Sequence, residues 1–124
     1  MAEKITSFTQ LRTWQNAREF AVNIYGVTKS LPESERFGLT SQMRRSAVSV
    51  AANIAEGFSR NGLKDKVRFY SIALGSLTET LSHLYIAHDL GFLGQVNIQS
   101  IEGEVTDLHK MINGLMRSAG ERNA

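Results

Sequence analysis

From Leu63 to His88, the residues Leu63, Val67, Tyr70, Leu74, Leu77, Leu81, Leu84 and His88 follow one another at alternating spacings of four and three. That period keeps a stripe on one face only if the backbone is helical; a strand would scatter it over both sides. More than three heptads of it predict one long helix with an apolar face that other elements must cover.

The rest of the chain repeats the pattern. Trp14, Ala17, Ala21, Ile24, Thr28 and Leu31 form a first stripe, which Phe20 and Val27 widen. Thr9 or Thr13 is expected to cap its start, and Pro32 ends it by disfavouring a helical Leu31. A second stripe is Leu39, Met43, Ala47, Val50, Ile54 and Phe58, and Ser59-Arg60-Asn61-Gly62 breaks it. Asn61 or Gly62 can cap the third helix, which carries Asp65 in its first turn and Gly91 as a C-terminal glycine. Ile98, Ile101, Val105, Leu108, Ile112, Leu115 and Ala119 give a fourth stripe. The predicted fold is all-α: a single up-down-up-down four-helix bundle with helices near 13–30, 38–59, 63–90 and 95–119. Residues 1–8 and 120–124 are expected to fray.

Composition narrows the function. The chain of 124 residues has no cysteine, so disulfides, thiolate metal sites and Cys nucleophiles are excluded. No run of about 18 apolar residues exists to span a membrane. Glu3, Lys4, Thr6 and Ser7 leave no apolar signal-peptide block at the start. A soluble, cytoplasmic protein without a membrane partner is therefore expected. Its net charge of +2 is modest for a protein that coats itself in nucleic acid.

Active-site patterns are missing. A carboxylate-bridged di-metal bundle needs Glu-x-x-His pairs, and none of His83, His88 and His109 has a Glu three residues before it. Glu79 and His83 make one pair at a spacing of four, which is short of a metal site. There is no phosphate-loop, nucleophile-elbow or dinucleotide fingerprint. We expect no enzyme, no cofactor, no metal and no catalytic residues.

Helix 3 has a second face. Phe69, Ile72, Ser76, His83 and Ile86, mixed with Glu79, lie opposite the heptad stripe. Broad contact inside the bundle would cover them, but a subunit interface is favoured, because contiguous exposed apolar patches usually mark a partner. On helix 2, Gln42, Arg45, Ser49, Asn53 and Glu56 form a polar stripe. It reads either as a solvated face or, with more weight given to its Ser and Asn, as a hydrogen-bond network of Arg45, Asn53, Glu56 and Glu79. Arg45 and Glu56 lie roughly 16 Å apart along the helix, so they do not pair with each other. Ala47, Ala51 and Ala55 on helix 2, and Ser71, Gly75 and Thr78 on helix 3, suggest close backbone approach. Gly57 joins the structural and interface set.

Between residues 44 and 68, Arg44, Arg45, Arg60, Lys64, Lys66 and Arg68 face only Glu56 and Asp65, a local excess of four positive charges. Lys64 and Lys66 lie in the first turn of helix 3, where positive charge opposes the helix dipole. The segment reads as ordinary surface or as a phosphate-binding patch that contacts RNA or DNA backbone weakly, with steep salt dependence.

The segment from Arg44 to Phe58 (Arg-Arg-Ser-Ala-Val-Ser-Val-Ala-Ala-Asn-Ile-Ala-Glu-Gly-Phe) resembles the signature of the bacterial 23S ribosomal RNA intervening-sequence protein family. Leu39-Thr40-Ser41-Gln42, the run from Arg68 to Glu79, Trp14-Gln15-Asn16-Ala17-Arg18 and Tyr25 extend the likeness over residues 8 to 93. The resemblance implies a four-helix bundle. Through a relative, the accessory variability determinant protein of diversity-generating retroelements, it also implies a homopentamer with a nucleic-acid partner. Two departures stand out: Ala51 replaces a proline found in many members, and this chain is much less basic than the retroelement proteins. Two functions follow as expectations: a non-enzymatic oligomeric accessory protein that binds nucleic acid, or a protein–protein scaffold that binds none.

Overall fold

Three helix ends in the computed structural model, which describes the backbone of residues 4–123 and side chains as far as Gly120, follow directly from local chemistry. The α1 helix (Arg12–Thr28) stops short of Pro32. The α3 helix (Leu63–Asp89) closes where Gly91 adopts φ +80°. There the Gly91 N–H donates to the His88 carbonyl at 2.9 Å and the Phe92 N–H to the Ala87 carbonyl at 3.0 Å, the paired bonds of a Schellman cap. The α4 helix (Ile98–Asn123) begins three residues later than expected, because Gly94 at φ +51° holds the chain in a turn. Asn97 then caps the helix by accepting the Ser100 N–H at 3.1 Å.

The α2 helix spans Leu39–Ser59. The expected caps of α1 differ: Ser7 caps a short 3-10 turn, Phe8–Gln10, in a capping box with Gln10. The α1 helix itself starts at Arg12, after Leu11, without a side-chain cap. Neither Asn61 nor any other side chain caps α3, whose N-cap is Gly62. At the C-terminal side, α4 is helical as far as Asn123. The fraying expected of residues 1–3 and 124 lies outside the described residues.

The helices run up-down-up-down. Contacts link Thr28 to Arg44 between α1 and α2, Ser46 to Thr80 and Ser49 to Ser76 between α2 and α3, and Tyr85 to Glu102 between α3 and α4. Asn16 with Met111 and Asn23 with Glu104 join α1 to α4. Residue numbers rise on one helix as they fall on its neighbour, so each of these pairs is antiparallel. Packing is most extensive between α2 and α3 and thinnest where α4 closes on α1. The core holds Phe20, Ile24, Met43, Val50, Ile54, Leu77, Leu84, Leu108 and Ile112, all essentially inaccessible to water. Among the described helices none is long and apolar enough to cross a membrane.

Candidate functional site

The two faces noted on α2 and α3 lie side by side, because the helices pack over their small residues. Ser46 and Thr80, both buried, share a hydroxyl–hydroxyl bond of 2.7 Å, and Ser49 and Ser76 another of 2.8 Å. Asn53 Nδ2 donates to both the Ser49 carbonyl and the Ser49 hydroxyl at 2.9 Å. The polar network is thus Ser49, Asn53 and Ser76. The carboxylates expected in it turn elsewhere: Glu56 pairs with Arg60 at 3.1 Å and Glu79 with His83 at 3.2 Å, while Gln42 and Arg45 are exposed. Among the described residues no buried side-chain polar atom lacks a partner.

The second face of α3 divides. Ser76, bonded to Ser49 of α2, is buried, and Phe69 and His83, seven residues before and after it, are half-buried. Ile72 and Ile86 remain 44% and 47% exposed, and Leu90 beyond them 56%. Gly75 is exposed, and a Cβ added there would meet nothing within 4 Å. Close approach instead requires Gly57, where an added Cβ would lie 2.5 Å from Cε1 of the buried Tyr70 ring.

The basic segment does not form one surface. Sixteen residues of helix separate Arg44 from Arg60, roughly 24 Å of axial rise. At the α2–α3 turn, Arg60 and Arg68 lie over the Phe69 ring at 4.8 and 4.7 Å, and Arg68 sits 3.8 Å from Asp65. Lys66 does not oppose the dipole of its own helix. Its Nζ reaches back to the last turn of α2 and donates to the Gly57 and Phe58 carbonyls at 3.2 and 2.9 Å, where positive charge is favourable. Lys64 is exposed at the same turn.

Arg44 is built into the α1–α2 face. Its Nε donates to the hydroxyl of buried Thr28 at 2.8 Å, and its guanidinium lies 4.5 Å from the centre of the Tyr25 ring. Arg44, Arg45 and Arg36 line a cavity of about 420 Å³ with Tyr25, Phe37, Thr40 and Ser41. An apolar groove of about 510 Å³, lined by Trp14, Arg18, Ala21, Val22 and Ala51, shares Tyr25 and Val48 with it. Sequence reading assigned no role to Arg36 or Phe37, placed Arg18 and Tyr25 only by resemblance, and put Trp14 in the apolar stripe of the first helix. The signal was there in the run Glu35-Arg36-Phe37 and in the off-core Arg18, Val22 and Tyr25 of α1.

One phenol and one carboxyl are perturbed. The hydrogen bond to Glu102, then desolvation, raises the Tyr85 phenol above its ordinary value. Burial raises the Glu104 carboxyl, aided by nearby Glu19 and opposed by the Asn23 amide bond at 2.9 Å. Neither lies in a cluster of catalytic groups, and among the described residues no three His, Asp or Glu side chains gather to hold a metal.

An antiparallel four-helix bundle with one polar–apolar face on α2–α3 and one aromatic–arginine face on α1–α2 is a helical-bundle protein defined by its surfaces. The chain belongs to the 23S rRNA-intervening sequence protein family, whose model matches residues 9–114. It is also similar to a crystal structure of a protein of unknown function from the S23 ribosomal protein family of Bacteroides thetaiotaomicron VPI-5482. The two share 25% sequence identity and a TM-score of 0.76, over 85% of this chain and 95% of the other. No curated protein matches the chain.

Proposed function

We propose that this protein is a non-enzymatic accessory bundle of the cytoplasm that works as a closed homo-oligomer and binds RNA or DNA backbone weakly. The observation that carries the oligomer is the outer side of α3. Ile72, Ile86 and Leu90 stay exposed there, and Gly75 has no neighbour in its own chain to explain it. A mid-helix glycine costs about 1 kcal/mol against alanine, and close approach by another subunit's helix would offset that. The resemblance to retroelement accessory proteins favours five subunits.

Light scattering on the purified protein tests this: we expect an oligomer for the native chain and dissociation for Ile72→Glu, which places a charge in the apolar contact. A native monomer defeats the oligomer, and an intact Ile72→Glu oligomer defeats this choice of face. Weak backbone binding rests on cation clusters at both ends of α2. A ring that repeats them adds avidity to a chain of low net charge. An oligomer that retains neither RNA nor DNA at low salt would leave the scaffold reading in its place.

A further inference from the structure

Resting on the backbone-binding reading above, we infer that the α1–α2 groove is the phosphate-binding site and that its ligand is single-stranded nucleic acid. Arg44 supplies the first argument. Its Nε is fixed on the Thr28 hydroxyl, and Thr28 in turn donates to the Tyr25 carbonyl at 3.0 Å, so the guanidinium is held in place where it lines the cavity. A guanidinium positioned beforehand loses less freedom when it takes up a phosphate.

Charge supplies the second. The cavity is lined by three arginines and no carboxylate. The nearby acids are engaged: Glu33 with Arg36 at 3.5 Å, and Glu35 as acceptor of the Leu39 N–H at 3.2 Å. The first turn of α2 carries no acid and presents Thr40 and Ser41 hydroxyls to the same space. At the opposite end of α2, Arg60 and Arg68 have carboxylate partners and Lys66 is bonded to backbone carbonyls. That leaves Lys64 without a carboxylate or carbonyl partner at that turn, against Arg44 and Arg45 in the groove, where Arg36 pairs with Glu33.

Aromatic exposure supplies the third. Tyr25 is 42% and Phe37 87% exposed beside these cations. A planar ring next to a guanidinium is a stacking platform for an unpaired base, whereas a duplex keeps its bases stacked inside. The groove then continues along α1 to Trp14, about 16 Å of axial rise from Tyr25. That length suits a few nucleotides of an extended strand and exceeds a single nucleotide.

Fluorescence anisotropy with labelled oligothymidylate and oligouridylate, at low and moderate salt, tests the assignment on the full chain. Arg44→Gln with Arg45→Gln should weaken binding about tenfold and reduce the log–log salt slope by about 1.4, the share of two phosphates. Arg45→Gln alone, at an exposed residue outside the packed face, should reduce the slope by about 0.7 without loss of fold. Tyr25→Leu should weaken binding about fivefold or more with the slope unchanged. Arg60→Gln with Arg68→Gln should change affinity little. Native protein that binds neither strand overturns both this site and the backbone-binding reading. Native binding that the distal pair abolishes, and the groove variants spare, overturns the site alone. Equal competition by thymidine monophosphate would make the ligand a free nucleotide. A changed sedimentation coefficient in the groove variants would make the groove a contact between copies of this chain. Either result overturns the strand assignment.

Discussion

Replacing Gly57 by alanine forces one methyl into a contact between α2 and α3 that has no room for it. The new Cβ would stand 2.5 Å from Tyr70 Cε1 and 2.8 Å from Cδ1, distances that van der Waals radii forbid. Tyr70 is 3% exposed, so its ring has no open side to swing into, and α2 and α3 must move apart. Overpacking of this kind costs about 1–3 kcal/mol. Alanine returns about 1 kcal/mol through its better helix propensity, leaving a net loss of up to about 2 kcal/mol. For a chain of this size that corresponds to a fall of up to about 8 °C in Tm. Thermal unfolding followed by circular dichroism measures it, and Gly103→Ala is the matched control. Gly103 is exposed on α4, and an added Cβ there meets nothing within 4 Å, so that variant should melt at or above the native temperature. Equal melting temperatures for the two variants would refute the argument that Tyr70 fixes the spacing of α2 and α3.

Two further outcomes concern polar residues. Asn53→Ala removes two bonds to Ser49 from a half-buried site and should cost about 1 kcal/mol, whereas Glu56→Ala loses only an exposed pair and should change stability by under about 1 kcal/mol; denaturant titration separates them. The Glu104 carboxyl is raised mainly by burial. It therefore binds more protons folded than unfolded, and its contribution to stability falls as pH rises from the ordinary value of 4.5 through the native one. Glu104→Gln should abolish that fall and gain stability over native at neutral pH, as read from unfolding curves across the acid range.

Helices were legible in the sequence because each covers its apolar face at one period. Boundaries at Gly91 and before Pro32 came from local backbone rules that tertiary packing had no reason to override. Tertiary position was the harder part. Gly75 drew attention as a mid-helix glycine, yet Gly57 carries the close approach, a fact that depends on which ring lies across the interface. The basic run from Arg44 to Arg68 looks continuous along the chain, but helical rise carries its ends to opposite poles of the bundle. Lys66 looked adverse in α3 because the spatial nearness of α2's final carbonyls, set by a tight turn, is invisible in a linear reading. The α1–α2 groove draws Tyr25, Phe37 and Arg44 from three separate segments. Only the fold makes them neighbours.

The turn at Arg60–Gly62 has a bearing on how the chain reaches this structure. Linking α2 to α3 over so few residues makes the broadest helix contact in the molecule also one of the most local in sequence. Closing so short a loop sacrifices little chain entropy, so the α2–α3 hairpin is where order costs least to begin. Lys66 ties the two helices together at that hinge, and the same interface continues from Tyr70 and Gly57 to Thr80 and Ser46. The seam between the first and last helices spans nearly the whole chain and is the thinnest of the four. On this topology it closes last and opens first, which places the least durable part of the bundle at the α1–α4 edge.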